Sequence, residues 1–565
     1  MSGGVVFQWE TDPTSSESLV QVCSDKLCAN VVETLIGQTG AVLSAPLPRG
    51  AYFVRGRGRR MHPDQTFLEG TKWSTTRSIF VTGRPVTSPA LLGMRPDIDA
   101  DGIPERVIGN TFPPTSAGAT ITVLWGNGTS TILSGGWSNN GITEAAFAST
   151  MQNGGDIDGD GRPEIVTIKQ LRVSQPSGAW VEANPIQVLR YGMNDQGTLV
   201  QLQSHDIPAP FHSLVPAGDI NGDGYADVLA VRQLNPVPTE TGVEVFILFG
   251  GKQGFENPSS FLVEIPLALR TLSTQVTVRG VGDVDGDGFA DVAIGINMLP
   301  DLCQNPPDGP IPGNRGYVDI LRGAQANPLE QVLVRLDGIG SVTPMGDING
   351  DGFADLGAVI KARLYRKSIA GNCASYSQHY LPGSLNIYYG SAAAPLDSSS
   401  WTLPTYTAAT CTNNWNYTST FHIAGDLAGG GDLDGDTFGD FVLATPTLFD
   451  VSGASCLAFP GRVHVFYGAE SGIVSPPAQI IDGPDGNDRR FGRSAAIMGH
   501  VTGSSDDDIL IGAAYWRNAT NTAATPARVR LYTGPSGGLA PAAVYTSGAP
   551  LLSNDSFGVR LLGGL

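Results

Sequence analysis

A nine-residue acidic segment recurs along this chain of 565 residues, and no other feature constrains its fold as much. Six copies run 97–105, 156–164, 219–227, 283–291, 347–355 and 432–440, and an eroded seventh runs from His500 through Thr502 and Ser504 to Asp508. Their spacing is nearly even and stretches once, between the fifth copy and the sixth. Self-similarity at such a period means a repeat architecture, in which each unit buries its apolar face only against its neighbours. Each copy is followed by a short apolar, β-prone run, as in Ile165–Ile168, Val228–Val231, Val292–Ile294, Phe441–Ala444 and Ile509–Ile511. A second run comes later in the same unit and ends in an aromatic or Arg plus Gly, as in Val243–Gly250, Tyr317–Gly323, Leu385–Gly390, Val463–Gly468 and Val529–Gly534. Several short strands joined by glycine turns make a propeller blade. The expected fold is all-β, a seven-bladed propeller over residues 84–565.

Within each segment the residue types read as oxygen donors for one hard cation. Positions 1, 3 and 5 hold Asp97, Asp99 and Asp101; Asp156, Asp158 and Asp160; and Asp219, Asn221 and Asp223 in the first three copies. The next three hold Asp283, Asp285 and Asp287; Asp347, Asn349 and Asp351; and Asp432, Asp434 and Asp436. Position 7 offers a backbone carbonyl, from Ile103, Arg162, Tyr225, Phe289, Phe353 and Phe438, and position 9 is Glu105, Glu164, Asp227, Asp291, Asp355 or Asp440. Glycine at position 6 permits the turn that points alternate side chains inward, with Thr437 as the exception in the sixth copy. An EF-hand would place its last acid at position 12 between helices, so an acid at 9 followed by a strand is a different loop. Carboxylates without nitrogen or sulfur donors favour calcium, about six structural ions in all. The bland alternative is a set of Asp-Gly hairpin turns that bind nothing. Charge favours the metal: the six loops hold 22 of the 53 acidic residues, leaving 31 acids against 34 bases elsewhere. Six divalent ions would take the net charge from −19 to −7. The seventh copy keeps only Asp508 of the expected acids and reads as metal-free.

These repeats resemble the FG-GAP repeats of integrin α-subunit propellers and of related bacterial and fungal extracellular propellers. Phe491-Gly492 and Phe557-Gly558 match the Phe-Gly signature, while Phe147 and Phe211 keep the aromatic alone. The resemblance implies a metal loop joining the innermost strand of each blade to the next, on the face opposite the usual ligand-binding face. It also implies a secreted or cell-surface adhesion or ligand-binding module. Ser556–Leu565 reads as a closing strand that completes the ring with N-terminal material, or else as the point where a longer protein is cut.

Residues 1–83 lack the repeat and resemble a small fibronectin-type-III or immunoglobulin-like sandwich, in which Trp9 is expected in the core and Cys23 and Cys28 could staple a hairpin. Arg84 to Pro89 reads as a linker. The even count of six cysteines fits an oxidising compartment. Met1-Ser2-Gly3-Gly4 is no signal peptide, so export would make this a mature form. An acidic chain is repelled by nucleic acid, no apolar run reaches membrane-spanning length, and a monomer is expected.

No catalytic constellation assembles, so the expectation is not an enzyme. Gly534-Pro-Ser536-Gly-Gly538 aligns with the turns of other blades rather than with a nucleophile elbow. Function is better sought where the repeat is interrupted, at 297–316, 361–383, 404–421 and 445–461 in blades 4 to 6. These insertions carry Cys303, Cys373, Cys411 and Cys456, enough for two disulfides, together with Tyr376, His379, Tyr380, Trp415 and Tyr417. Aromatic plates among amides suit a protein or glycan ligand, although packing beneath long loops would use them too. A lectin, and a polysaccharide lyase or lipase on the same scaffold, are the rival readings.

Overall fold

The computed structural model describes residues 6–8, 15–23, 28, 31–37, 40–42, 50–61, 67–69, 77–81, 96–101, 103–110, 119–134, 142–144, 147, 150–169, 171–174, 180–182, 186–194, 196–207, 213–233, 242–264, 274–298, 316–360, 363–369, 372–381, 384–392, 396–402, 406–407, 411–413, 415–417, 420–421, 427–436, 438–445, 461–484, 491–499, 501, 506–513, 516–517, 524–525, 528–534, 539–546 and 560–562. Every regular element among them is a β-strand, and no helix among them is long and apolar enough to cross a membrane.

Seven four-stranded antiparallel sheets follow one another among the described residues. Sheet 2 runs Gln152–Asn153, Ile165–Lys169, Ile186–Met193 and Leu199–Ile207, and sheet 3 runs Ser213–Gly218, Asp227–Gln233, Gly242–Phe249 and Glu256–Glu264. Sheet 4 is Thr274–Gly282, Asp291–Met298, Tyr317–Leu321 and Val332–Asp337; sheet 5 is Thr343–Gly346, Asp355–Ile360, Ser384–Tyr388 and Ser398–Thr402. Sheet 6 is Leu427–Gly431, Asp440–Thr445, Arg462–Phe466 and Gln479–Asp482; sheet 7 is Phe491–Gly499, Asp508–Ala513, Arg528–Thr533 and Ala540–Thr546.

Sheet 1 is assembled from both ends of the repeat region. Arg106–Asn110, Thr120–Leu124 and Ser130–Ser134 come from its start, and the fourth strand is Arg560–Leu562, with Leu561 opposite Ile108. The closing strand expected in Ser556–Leu565 therefore pairs with the strand that follows the first acidic loop.

The cores lie between sheets, which explains why one unit alone could not fold. Phe147, Ile165 and Leu189 of the second unit pack on Ile121 and Val123 of sheet 1, and Val278, Val292 and Ile294 of sheet 4 pack on Leu229, Val243 and Ile247 of sheet 3. The last sheet packs on the first through Met498, Leu510 and Val529 against Ile108. Each fully buried aliphatic of this size contributes about 1.5–3 kcal/mol. First strands of successive sheets run side by side, which is the neighbour order of a β-propeller. The Phe-Gly residue Phe491 is fully buried and meets Tyr532 edge-on, with ring centroids 6.2 Å apart.

In the N-terminal part, Glu17–Cys23 lies between Val31–Gly37 and the long strand Gly50–Met61, which also pairs with Phe67–Glu69 and Arg77–Val81. Val6–Gln8 pairs separately with Gly40–Val42. A disulfide joins Cys23, the last residue of Glu17–Cys23, to Cys28, with Cα atoms 5.1 Å apart. Trp9, Cys303 and Cys456 lie outside the described residues, as do the linker residues 84–89 and Phe211, Phe557 and Gly558.

Candidate metal loops

Each intact loop from the second to the sixth joins the first strand of its sheet to the second, while the first loop leads directly into Arg106–Asn110. The loop shape comes from its own carboxylates. Position 1 accepts backbone N–H groups across the turn: Asp219 from Gly222 and Asp223 through Oδ1 (2.6 and 3.1 Å) and from Gly224 through Oδ2 (2.8 Å), and Asp283 likewise from Gly286, Asp287 and Gly288. Position 5 accepts from position 7, as Asp287 does from Phe289 at 3.0 Å. These bonds hold the side chains at 1, 3 and 5 inward.

Position 9 ties the loop to the sheet. Its carboxylate accepts the N–H of position 2 in all six loops, from Ile98 to Glu105 (2.6 Å) through Leu433 to Asp440 (2.6 Å). In sheets 3 to 6 the other oxygen accepts the N–H of the glycine that follows the third strand: Gly250 to Asp227, Gly323 to Asp291, Gly390 to Asp355 and Gly468 to Asp440, at 2.8–2.9 Å. These acids are therefore structural struts as well as candidate ligands, a role that donor spacing does not reveal.

Four loops bring their carboxylates together. Ligand oxygens of Asp97, Asp99 and Asp101; of Asp156, Asp158, Asp160 and Glu164; of Asp283, Asp285 and Asp291; and of Asp432, Asp434 and Asp440 lie within 4.8 Å of one another. Glu105, Asp287 and Asp436 fall outside those sets, and the loops with Asn221 and Asn349 form no such trio of acids among the described residues. There the asparagine amide donates to position 5, Asn221 to Asp223 and Asn349 to Asp351, both at 2.9 Å.

The electrostatics fit a cation. Burial, reinforced by Asp99 and Asp97, pushes the Glu105 carboxyl up to about 9, and its Oε1 is buried without a hydrogen-bond partner. Burial likewise raises Asp227, Asp291, Asp355 and Asp440 to about 8, against the lowering effect of their backbone hydrogen bonds. Asp434 is raised to about 6 by burial and by Asp436. Oδ1 of Asp285 is also buried with no hydrogen bond. Oxygen-only donors, with lone pairs unused and neighbouring like charges, are the surroundings a divalent cation relieves.

The seventh copy is eroded as a ligand set yet still joins its neighbour. Asp506, Asp507 and Asp508 are buried; the Asp507 N–H donates to the Asp432 carbonyl, and its carboxylate accepts the Asp432 N–H. His500 and Thr502 lie outside the described residues, as do Gly102 and Thr437 of the first and sixth loops.

Of the ligand-face candidates, Tyr376, His379 and Tyr380 stand on the strand Asn372–Leu381, paired with Arg363–Ile369. Trp415 and Tyr417 stand on a hairpin opposite Asn413 and Cys411. The side chains of these five residues, and of Cys373 and Cys411, lie outside the described residues. Gly534 follows Arg528–Thr533 directly and Ala540–Thr546 pairs back on that strand, while Ser536 and Gly538 lie outside the described residues.

Residues 156–230 match the FG-GAP-like repeat family. Integrin alpha-2 of Mus musculus is 29% identical over 206 residues, which is 33% of this chain and 16% of that protein. Integrin alpha-7 of Rattus norvegicus is 28% identical over 208 residues, 36% of this chain and 15% of that protein. The chain thus spans about a sixth of the length of these integrins. Among solved structures, the exotype rhamnogalacturonan lyase YesX aligns over 94% of this chain and 88% of its own, with 13% identity and a TM-score of 0.32. A rhamnogalacturonan lyase of Bacillus licheniformis aligns over 96% and 74%, with 12% identity and a TM-score of 0.25. Superpositions that poor speak to neither fold nor activity.

Proposed function

The chain carries an FG-GAP-like, integrin-like repeat domain, and on that premise we propose that it is a calcium-stabilised, seven-bladed propeller acting outside the cell as a ligand-binding or adhesion module. The observation that carries this reading is the set of acidic loops at one end of their sheets, the second to the sixth of them linked each to the next. The N–H of position 8 in one loop donates to the carbonyl of position 1 in the loop before, as Ala226 to Asp156, Ala290 to Asp219 and Ala354 to Asp283, each at 2.9 Å. Cations held there would neutralise the buried carboxylates and lock neighbouring sheets together, leaving the other end free for a partner. Strands alternate in direction, so the connections after the second and fourth strands leave at the end opposite the loops. The long segments 297–316, 361–383, 404–421 and 445–461 are connections of that kind. Long loops on a rigid scaffold are the usual place for recognition.

Binding rather than catalysis is the reading, with a protein or glycan as the partner and the monomer as the working unit. A glycan array separates a lectin from a protein binder, and turnover on polysaccharides or lipids would show an enzyme instead. Substituting Trp415 and Tyr417 together by Ala should weaken binding to whatever the array or a pull-down identifies, with the melting temperature nearly kept. Unfolding, or unchanged binding, makes both residues packing groups.

A further inference from the structure

Among the described residues, the second and the fourth loop each have an arginine from the third strand or its end bonded to candidate ligands. Arg190 lies on the third strand of sheet 2 with its side chain 6% exposed, and its Nη1 donates to Asp158 Oδ2 at 2.6 Å and Glu164 Oε1 at 3.0 Å. Those are positions 3 and 9 of the second loop. Arg322 follows the third strand of sheet 4; its Nη2 pairs with Asp285, position 3 of the fourth loop, and its Nε lies 3.5 Å from Asp287.

The repeat itself shows that these arginines are substitutions into a pattern. Arg190 stands opposite Val166. At the same register the other six sheets have Val123, Ile247, Ile320, Ile387, Val465 and Leu531, all buried aliphatics. Arg322 precedes Gly323, where Trp125, Phe249, Tyr389 and Tyr467 precede the matching glycines of sheets 1, 3, 5 and 6; sheet 7 has Thr533 there and sheet 2 has Gly192. Folding a guanidinium into the place of an aliphatic costs several kcal/mol of desolvation unless fixed opposite charge surrounds it. Both arginines find that charge on position 3. The third and fifth loops instead carry uncharged Asn221 and Asn349 there.

We propose that Arg190 and Arg322 are resident counter-cations of the second and fourth loops. They hold these loops in shape without metal and make each fill at higher calcium than it would with the residue found at that place in the other sheets. This deepens the calcium reading above and rests on it. A guanidinium bonded to two ligand carboxylates occupies lone pairs the ion would use and repels the ion itself.

The test exchanges residues between repeats in both directions, with calcium counted at equilibrium across a buffered series of free calcium and melting followed with and without EDTA. Arg190→Leu and Arg322→Tyr should each melt lower than wild type in EDTA and regain its melting temperature in millimolar calcium. One site in each should fill at about tenfold lower calcium or less. Tyr467→Arg, which gives the sixth loop the fourth loop's arrangement beside Asp434, should do the reverse: one site fills about tenfold later, and the EDTA penalty shrinks. If Arg190→Leu fails to fold at any calcium concentration, Arg322→Tyr and Tyr467→Arg decide, since both change partly exposed positions. Wild-type binding curves and EDTA shifts in these variants, with wild type itself binding calcium, overturn the inference and leave the calcium reading standing. No calcium uptake by any of the proteins overturns both.

Discussion

The ring of Tyr225 lies on Gly159: a Cβ built on that glycine would sit 2.6 Å from Tyr225 Cε1. Gly159 is position 4 of the second loop and Tyr225 position 7 of the third. The contact recurs with Phe289 on Gly222 and Phe353 on Gly286, each at 2.5 Å, and these glycines have φ of +72°, +73° and +74°. Where position 4 has a side chain, Ala100 at φ +55°, the next loop presents Arg162 in place of the aromatic. Successive loops are therefore matched to each other as well as to an ion.

Gly222→Ala should destabilise by about 2–5 kcal/mol, because a left-handed alanine costs about 1–2 kcal/mol and crowding the Phe289 ring adds about 1–3. Gly128→Ala is the control: its φ is +83° with open space around it, so only the backbone cost applies. Urea unfolding of the two variants measures the difference, and equal losses would mean the stacked ring yields freely.

Chelation should expose a pH dependence. In the metal-free protein Glu105 is raised to about 9 and Asp227, Asp291, Asp355 and Asp440 to about 8. Raised carboxyls contribute stability that is full below their unfolded values near 4 and lost as pH rises through 8 to 9. The melting temperature in EDTA should thus fall between pH 6 and 9, while in calcium it stays nearly level. Each site held at 100 times its dissociation constant adds about 2.7 kcal/mol. Parallel curves with and without EDTA would remove the calcium reading.

His464 should make the fold sensitive to acid independently of any metal. It is fully buried beside Trp401, ring centroids 5.8 Å apart, and burial, with Arg462 nearby, lowers its pKa to about 4. A depressed value contributes stability present above the unfolded 6.5 and lost as pH falls through 4. His464→Phe should therefore lose less stability than wild type between pH 6.5 and 4, as read by melting at fixed calcium. An unchanged acid limb would show that the imidazole is not the group being charged.

The seam of the ring should lie at sheet 1. The loop-to-loop bond from position 8 runs without a break from the second loop to the seventh copy, through Ala226, Ala290, Ala354, Gly439 and Asp507. Pro163 and Pro104 hold position 8 in the second and first loops, and proline has no N–H to give. Hydrogen exchange should find the amides of Ala226, Ala290 and Ala354 slow and the strands Arg106–Asn110 and Arg560–Leu562 faster. Uniform protection around the sheets would place the weakest point elsewhere.

Much of this protein is set by short-range chemistry and is legible as text. Acids at positions 1, 3, 5 and 9, a strand at once after them and a nearly constant period define the loop, the blade and the all-β class, because each depends on residues within one repeat. Between repeats the logic changes. The glycine at position 4 answers to an aromatic in the following repeat, and Leu561 meets Ile108 across nearly the whole chain. Arg190 looks like an intruder in a β-run until the fold sets it between Asp158 and Glu164. The tertiary structure alone decides these contacts, since stacking, pairing and charge neutralisation need atoms within a few ångströms and spacing along the chain carries no such distance.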